Sequence, residues 1–280
     1  MIVTLGILSF AQLVVVPGFI VSRSMKLRGL INYILFVMPV SLIANYIFVF
    51  SATSLGIYNQ KIVLLFFVAE FVCIIYLIRQ TLNKNLGEIL NLQGIASFFK
   101  EYLSSRKRVP TWFNQVNNLI CITVLGLAVY QLINYVVIYA SQINAVFLDW
   151  DAVISWDRWA VAWYHGNFPS LTWHYPQLLP TNWSLSYQFM GNSLIKFFAK
   201  YLMGIIEICI LANIFALGVV KRQAGYFMGV IFTAWLQFAF GSRGNGYADT
   251  PVAFMALSTL SCFLLIENNQ IEEKPKTHFR

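Results

Sequence analysis

Residues 149–183 read DWDAVISWDRWAVAWYHGNFPSLTWHYPQLLPTNW, and the rest of the chain is arranged around this stretch. It holds three of the four aspartates, six of the 8 tryptophans and two of the 3 histidines. The segments on either side of it are long apolar runs with few charges. The stretch is therefore the candidate chemical site, and the apolar runs decide the fold class.

The composition is that of a membrane protein. The chain is 59% hydrophobic and 11% charged, with a mean hydropathy of +0.67, whereas soluble domains are about a quarter charged. A spanning helix needs about 20 mainly apolar residues. We predict an all-α polytopic membrane protein with about seven transmembrane helices, at 2–22, 31–51, 61–80, 116–141, 202–220, 224–241 and 250–266. The first run lacks a basic leader and a cleavage site, which predicts a retained helix.

The net charge of +8 is explained by membrane orientation. Fourteen of the 19 lysines and arginines fall in the connections that share one side if the N-terminus is outside. The positive-inside rule makes that side cytoplasmic, together with the C-terminus. No nucleic-acid partner is then needed, and all four aspartates lie on the outer side. This orientation suits a site that faces the periplasm or the exterior.

Three regions follow from this topology. Residues 1–115 form an N-terminal segment of three membrane helices, and its end, 81–115, carries a cytoplasmic interfacial helix. Residues 116–266 form a membrane module with a large outer loop at 143–201. Residues 267–280 form a polar cytoplasmic tail. Two acids, Glu70 and Glu207, fall inside predicted spans, where an ionisable side chain is either functional or paired within the protein.

The outer loop begins with a predicted helix at 151–163. At about 100° per residue, one stripe holds Ala152, Trp156, Trp159 and Trp163, and another holds Asp151, Ser155 and Arg158. An indole stripe is typical of a helix that lies at the headgroup level of a bilayer. Asp149 precedes the helix as an N-cap candidate. Asp149 and Asp151 together are also a candidate site for a divalent cation, although no metal is required.

Downstream, two prolines predict an extended loop at 174–183. Asn182-Trp183-Ser184 is a formal N-glycosylation sequon. Residues 184–200 read as a second interfacial helix, on which Lys196 and Lys200 share a face. Their ammonium groups either bind a lipid phosphate or reach for the headgroups from a helix end. The last outer loop, GSRGNGYADTP at 241–251, is glycine-rich and able to close over the same site.

The order of these motifs resembles a known family. WDAVISWDRWA (150–160), GNFP (166–169), YPQLLPTNWS (175–184), FFAK (197–200), a helix ending in KR (221–222) and GYADTPVAF (246–254) follow one another. Together they resemble integral-membrane glycosyltransferases of the GT-C superfamily, closest to bacterial proteins of the protein mannosyltransferase or family 39 group. The resemblance implies a location in the inner, or plasma, membrane of a bacterium. The resemblance covers roughly residues 116–266.

The resemblance implies an inverting enzyme that transfers a sugar from a polyprenyl-phosphate donor to an acceptor on the outer face. It places the catalytic base at Asp151, within WDA, with Asp149 as the second choice. Such a base takes the proton of the attacking hydroxyl, and cations stabilise the departing phosphate. The predicted substrate-binding residues are Trp156, Arg158, His174, Tyr175, Lys196, Lys200, Arg243, Tyr247 and Asp249.

The chain departs from the family pattern at both ends. Three helices precede the matching part, and a polar tail follows the fourth family helix where family members continue with further helices. This predicts either a truncated or split member, or one that works with a partner chain supplying the missing helices. The alternative function is a non-catalytic or split-subunit membrane protein that binds the lipid carrier without turnover. A transporter is disfavoured, because the polar residues concentrate in outer loops and no halves repeat.

Overall fold

The computed structural model describes residues 2–25, 30–82, 111–141, 146–147, 149–172, 175–221, 223–239 and 249–272. Every regular element in these ranges is helical, which confirms the all-α prediction. The helices are α1 (Ile2–Val14), α2 (Val16–Ser24), α3 (Leu30–Ser54), α4 (Gln60–Leu82), α5 (Thr111–Ser141), α6 (Arg158–Tyr164), α7 (Leu178–Met190), α8 (Phe197–Lys221), α9 (Ala224–Ala239) and α10 (Asp249–Glu272). A π-helical turn, Ala152–Asp157, leads into α6.

Five helical stretches within those ranges are long and apolar enough to cross a membrane: Ile2–Ser24, Leu35–Ser54, Gln60–Arg79, Leu119–Ala140 and Phe197–Lys221. The sixth predicted span corresponds to α9, which has 16 residues, about 24 Å at 1.5 Å per residue. The seventh corresponds to the first part of α10, where the apolar stretch Asp249–Leu264 is shorter than the five candidate spans. Five candidate spans in the described ranges support the membrane class, but the predicted count of seven is not confirmed.

The first span is divided in two at Val15. Pro17 lies in the first turn of α2, where its missing N–H costs least because first-turn amides have no intrahelical partner. Helical hydrogen bonds still cross the break, since the Val15 amide donates to the Ala11 carbonyl at 2.9 Å and the Phe19 amide donates to the Val15 carbonyl at 2.8 Å. Ile2–Ser24 therefore remains one candidate span.

Helix α7 is the centre of the described structure. Every residue from 179 to 190 is buried, and the helix packs against α1, α3, α4, α6 and α8. The prediction of an extended loop is wrong for the LLPTNW part of 174–183, because Pro180 falls in the first turn of a helix. The prediction of an interfacial helix over 184–200 is also wrong, because α7 ends at Met190 with left-handed Gly191 and α8 begins at Phe197.

The polar side chains of α7 can be buried because the helix itself supplies partners for them. The Thr181 hydroxyl donates to the Gln177 carbonyl at 2.8 Å, and the Ser184 hydroxyl donates to the Thr181 carbonyl at 2.7 Å. Such bonds to the preceding turn satisfy hydroxyl groups away from water. Ser184 and Ser186 also lie within hydrogen-bond distance of Tyr58 and Ser9, at 3.0 and 3.2 Å. These contacts tie α7 to the N-terminal helices.

The sequon at Asn182 is not expected to carry a glycan in the folded protein. The side chain is fully buried, and its amide nitrogen donates to the carbonyls of Leu178 and Leu42, at 2.7 and 3.1 Å. After expression in a glycosylating eukaryotic host, the monodisperse fraction should show no mobility change on endoglycosidase treatment. The Asn182→Gln variant should co-migrate with it, and an endoglycosidase-sensitive band in that fraction would contradict the buried placement.

Helix α8 joins α7 to the rest of the bundle, packing against α1, α3, α5, α9 and α10. Both acids predicted within spans face the protein interior. Glu207 on α8 is 1% exposed and accepts a hydrogen bond from the Tyr135 hydroxyl on α5. Glu70 on α4 is 8% exposed and interacts with the Gln12 side chain on α1. Most of the predicted interfacial helix within 81–115 lies outside the described residues.

Candidate functional site

The acidic end of the 149–183 stretch is wound as a π-helical turn. The turn spans Ala152–Asp157, and the Val153 amide donates to the Asp149 carbonyl at 3.0 Å where it begins. A π-helix is rare and frequently occurs at functional sites. Here it lies between the Asp149/Asp151 pair and Asp157. The turn therefore determines the directions in which these three carboxylates point relative to one another.

The tryptophan stripe exists but faces inward. Trp156, Trp159 and Trp163 are 6%, 8% and 2% exposed, and the Trp163 indole N–H donates to Gln177 Oε1 at 3.1 Å. The prediction that these indoles lie at the headgroup level of the bilayer is therefore wrong. Helical periodicity grouped them correctly, but it could not tell a lipid-facing side from the side that α7 covers. Trp150, by contrast, is 74% exposed.

The Trp156 ring also packs in an aromatic cluster with Trp159 and the predicted binding residue Tyr175. Their ring centroids lie 5.5 Å apart at 90°, and Tyr175 lies 6.0 Å from Trp159. Edge-to-face packing of this kind fixes ring orientation. Because Tyr175 is exposed while Trp156 is buried, Tyr175 is the member of the pair that a ligand can reach.

Asp149 is the most unusual carboxylate of the segment. Its Oδ2 atom is buried and has no hydrogen-bond partner among the described residues. Partial burial raises the pKa of the Asp149 carboxyl above its usual value, the Lys200 ammonium opposes that rise, and the neighbouring Asp151 adds to it. Asp149, Asp151 and Lys200 therefore form one electrostatically coupled group.

Asp151 and Arg158 lie on the exposed side of the π-helical turn, as the second predicted stripe requires. In the part of the chain that the structure describes, no ion pair joins them. An exposed carboxylate and an exposed guanidinium are accessible to a ligand from outside. Their positions are compatible with the predicted roles in substrate contact, which stay predictions.

Lys196 is engaged by a residue that the sequence did not single out. Its Nζ lies 2.8 Å from both Asp157 oxygens and 4.6 Å from the centre of the Tyr187 ring. The Tyr187 hydroxyl donates to Asp157 Oδ1 at 2.6 Å. Burial, and then the Asp157 charge, raise the pKa of Tyr187 well above its usual value, so it is a neutral donor. No sequence spacing signals this trio, because its members belong to three separate segments.

Lys200 lies one helical turn after Lys196 and points to the other end of the segment. Its Nζ donates to the Val146 carbonyl at 2.8 Å. Phe147, the next residue, stacks on the buried Trp183 with centroids 4.3 Å apart. The two lysines were predicted to share a face, and either to bind a lipid phosphate or to reach for the headgroups from a helix end. Both lysines lie at the start of α8, but they contact different parts of the protein: Lys196 contacts Asp157, and Lys200 contacts the Val146 carbonyl.

An apolar groove of about 370 Å³ lies between the start of α7 and the start of α10. Its walls include Pro176, Leu178, Leu179, Pro251, Val252 and Met255. Asp249 is exposed in the first turn of α10, two residues before Pro251. The groove thus connects the end of α10 that carries Asp249 with the loop that carries Tyr175. The predicted site residues His174, Arg243 and Tyr247 lie outside the described residues.

A divalent cation at Asp149 and Asp151 would meet both favourable and unfavourable groups. Asp149 offers one buried unpartnered oxygen and Asp151 an exposed carboxylate, which hard cations accept as ligands. Lys200 places a competing positive charge beside them. The described ranges contain no cluster of three or more histidine, cysteine or acidic side chains suited to a metal ion. A cation at this pair stays a prediction.

Comparisons of this chain with protein-family models, with characterised proteins and with solved structures return no match.

Proposed function

We propose that the chain is a membrane glycosyltransferase that moves a sugar from a polyprenyl-phosphate donor to an acceptor hydroxyl at the outer membrane face. The observation that carries the proposal is the unpartnered, buried oxygen of Asp149 in a carboxylate pair beside Lys200. A general base needs a free lone pair, and a departing phosphate needs a nearby positive charge. The motif order of residues 150–254 supports the same reaction.

The structure favours Asp149 over Asp151 as the base within that pair. A carboxylate with a raised pKa is a stronger base than an ordinary aspartate, and it remains ionised at neutral pH if the rise is moderate. Asp157 is unsuited to the role, because both of its oxygens are occupied by Lys196 and Tyr187. Asp151 then acts from the exposed side, where it raises the pKa of Asp149.

In the proposed step, the acceptor oxygen attacks the anomeric carbon and forms the new glycosidic bond. The bond from that carbon to the phosphate oxygen breaks, and its electron pair leaves with the lipid phosphate. Asp149 receives the hydroxyl proton, and Lys200 offsets part of the charge that develops on the phosphate. The apolar groove between α7 and α10 is large enough to take part of the isoprenoid chain.

The direct test uses the full chain in lipid nanodiscs. Polyprenyl-phosphate-linked hexoses labelled in the sugar are supplied with membrane extract as the acceptor source, and release of label from the lipid phase is followed. Transfer above that of empty nanodiscs supports the proposal. Binding of polyprenyl phosphate by native mass spectrometry without transfer favours the non-catalytic alternative, and absence of both rejects a role in lipid-linked sugar chemistry.

The pH profile of transfer should reveal the coupling around Asp149. Because the base acts ionised, the rate falls as pH falls through the raised pKa of Asp149. Lys200 lowers that pKa and Asp151 raises it. The acidic limb of the profile should therefore move to higher pH in Lys200→Gln and to lower pH in Asp151→Asn. Identical limbs in the wild type and both variants would exclude Asp149 as the titrating base.

A further inference from the structure

The segment that carries Asp149 and Asp151 is held at both ends by the start of α8. At its far end, Lys196 contacts both oxygens of Asp157 at 2.8 Å. At its near end, Lys200 donates to the Val146 carbonyl at 2.8 Å. The two lysines are one helical turn apart, since the Lys200 amide donates to the Lys196 carbonyl at 2.9 Å. Two lysines on one helical turn therefore contact both ends of the segment 146–157.

The Asp157–Lys196 contact is shielded from water. The two side chains are 15% and 16% exposed, and the fully buried Tyr187 lies against both of them, with its hydroxyl on Asp157 and its ring under Lys196. Surface ion pairs contribute little, because water screens them and their side chains remain mobile. A carboxylate with two oxygens engaged, one of them by a buried hydroxyl, has one fixed position.

This fixed position matters because of the π-helical turn. Asp157 ends the turn, and Asp151 immediately precedes it. A π-helical turn is poorer in hydrogen-bond geometry than an α-helical one and needs outside contacts to persist. Release of Asp157 would let the turn rewind by one residue, which would rotate Asp149 and Asp151 relative to the residues that follow.

We propose that Asp157 and Lys196 are positioning residues that clamp the π-helical turn and so fix the direction of Asp149 and Asp151. This inference rests on the proposed function for its effect on catalysis, but the clamp itself does not depend on any substrate. Lys196 then acts on the protein and not on the lipid phosphate. Tyr187 is the third member, because it anchors Asp157 to the central helix α7.

Hydrogen–deuterium exchange of the chain in nanodiscs tests the clamp without substrate. Lys196→Gln and Asp157→Asn should each speed exchange across 149–164 by about tenfold or more, as expected for a lost charge-assisted hydrogen bond. Peptides from α9 should not change. Lys196→Arg keeps the charge and can pair with both carboxylate oxygens, so it should retain protection. Tyr187→Phe, which keeps the ring and loses the hydroxyl, should give a smaller increase.

Lys61 offers a matched control at the start of α4. It is exposed, and Lys61→Gln removes the same charge without touching the segment, so exchange across 149–164 should equal that of the wild type. Unchanged exchange in Lys196→Gln overturns the clamp. Should Lys196→Gln fail to fold, Lys196→Arg and Tyr187→Phe decide the question, and wild-type exchange in Tyr187→Phe counts against it.

The kinetic readout separates positioning from binding. A positioning role predicts that Lys196→Gln lowers kcat with little change in KM for the lipid donor, and that Lys196→Arg recovers most of kcat. Binding of the lipid phosphate by Lys196 predicts a raised KM with unchanged exchange, which overturns the inference. If the wild-type chain transfers no sugar, the proposed function fails while the exchange measurements still decide the clamp.

Discussion

The Asp149→Asn variant is expected to transfer sugar about 10²–10⁴-fold more slowly than the wild type, the usual contribution of a positioned general base. The amide cannot take the hydroxyl proton, yet it is nearly isosteric with the carboxylate. Asp149 Oδ2 has no partner among the described residues, so folding should be preserved. The measurement is the rate of label release from the lipid donor in nanodiscs, at equal amounts of monodisperse protein.

Asp151→Asn is the matched comparison, two residues away and on the exposed side of the same segment. It should keep a substantial fraction of the wild-type rate, because Asp151 influences the base only through its charge. The motif resemblance makes the opposite assignment, with Asp151 as the base. Loss of transfer in Asp151→Asn with activity kept in Asp149→Asn would establish that assignment, and full activity in both variants would remove the carboxylate pair from the mechanism.

Gly18→Ala is expected to have the largest effect on stability. Helices α2 and α3 approach so closely at Gly18 that a Cβ would lie 1.8 Å from the Val37 carbonyl oxygen and 2.8 Å from Ser41 Oγ. The Gly18 amide also donates to Ser41 Oγ at 2.9 Å. Overpacking a core costs about 1–3 kcal/mol when side chains can yield. Here the obstacle is backbone, so the helices must separate and the loss should reach at least that range.

Gly126→Ala provides the control within another membrane helix. A Cβ at Gly126 meets nothing within 4 Å, and alanine favours a helix over glycine by about 1 kcal/mol. Thermal unfolding followed by size-exclusion fluorescence should show a lower melting temperature for Gly18→Ala and an equal or higher one for Gly126→Ala. Equal melting temperatures for the wild type and Gly18→Ala would contradict the close contact between α2 and α3.

The spans were predictable because hydropathy reports how a segment interacts with lipid. The predicted runs 31–51, 61–80, 116–141 and 202–220 correspond to helices α3, α4, α5 and α8. Helix α7 was missed because hydropathy does not report a polar segment that is buried within the protein. Its threonine, serine and asparagine side chains make it look like a surface segment, but they bond to carbonyls of the preceding turn and of α3. Hydroxyl and amide N–H groups that are bonded in this way can be buried at low cost.

The amino-acid sequence by itself determined that the long apolar segments are helices able to cross a membrane, and that the candidate chemistry concentrates in 149–183. Periodicity even grouped Trp156, Trp159 and Trp163 correctly. Only the tertiary structure decided which side of that stripe is covered and how the carboxylates differ. Asp157 is occupied by Lys196, 39 residues away, whereas Asp149 keeps an unpartnered oxygen. Local propensity acts over a few residues, but the partner of a charged group is chosen by packing between distant helices.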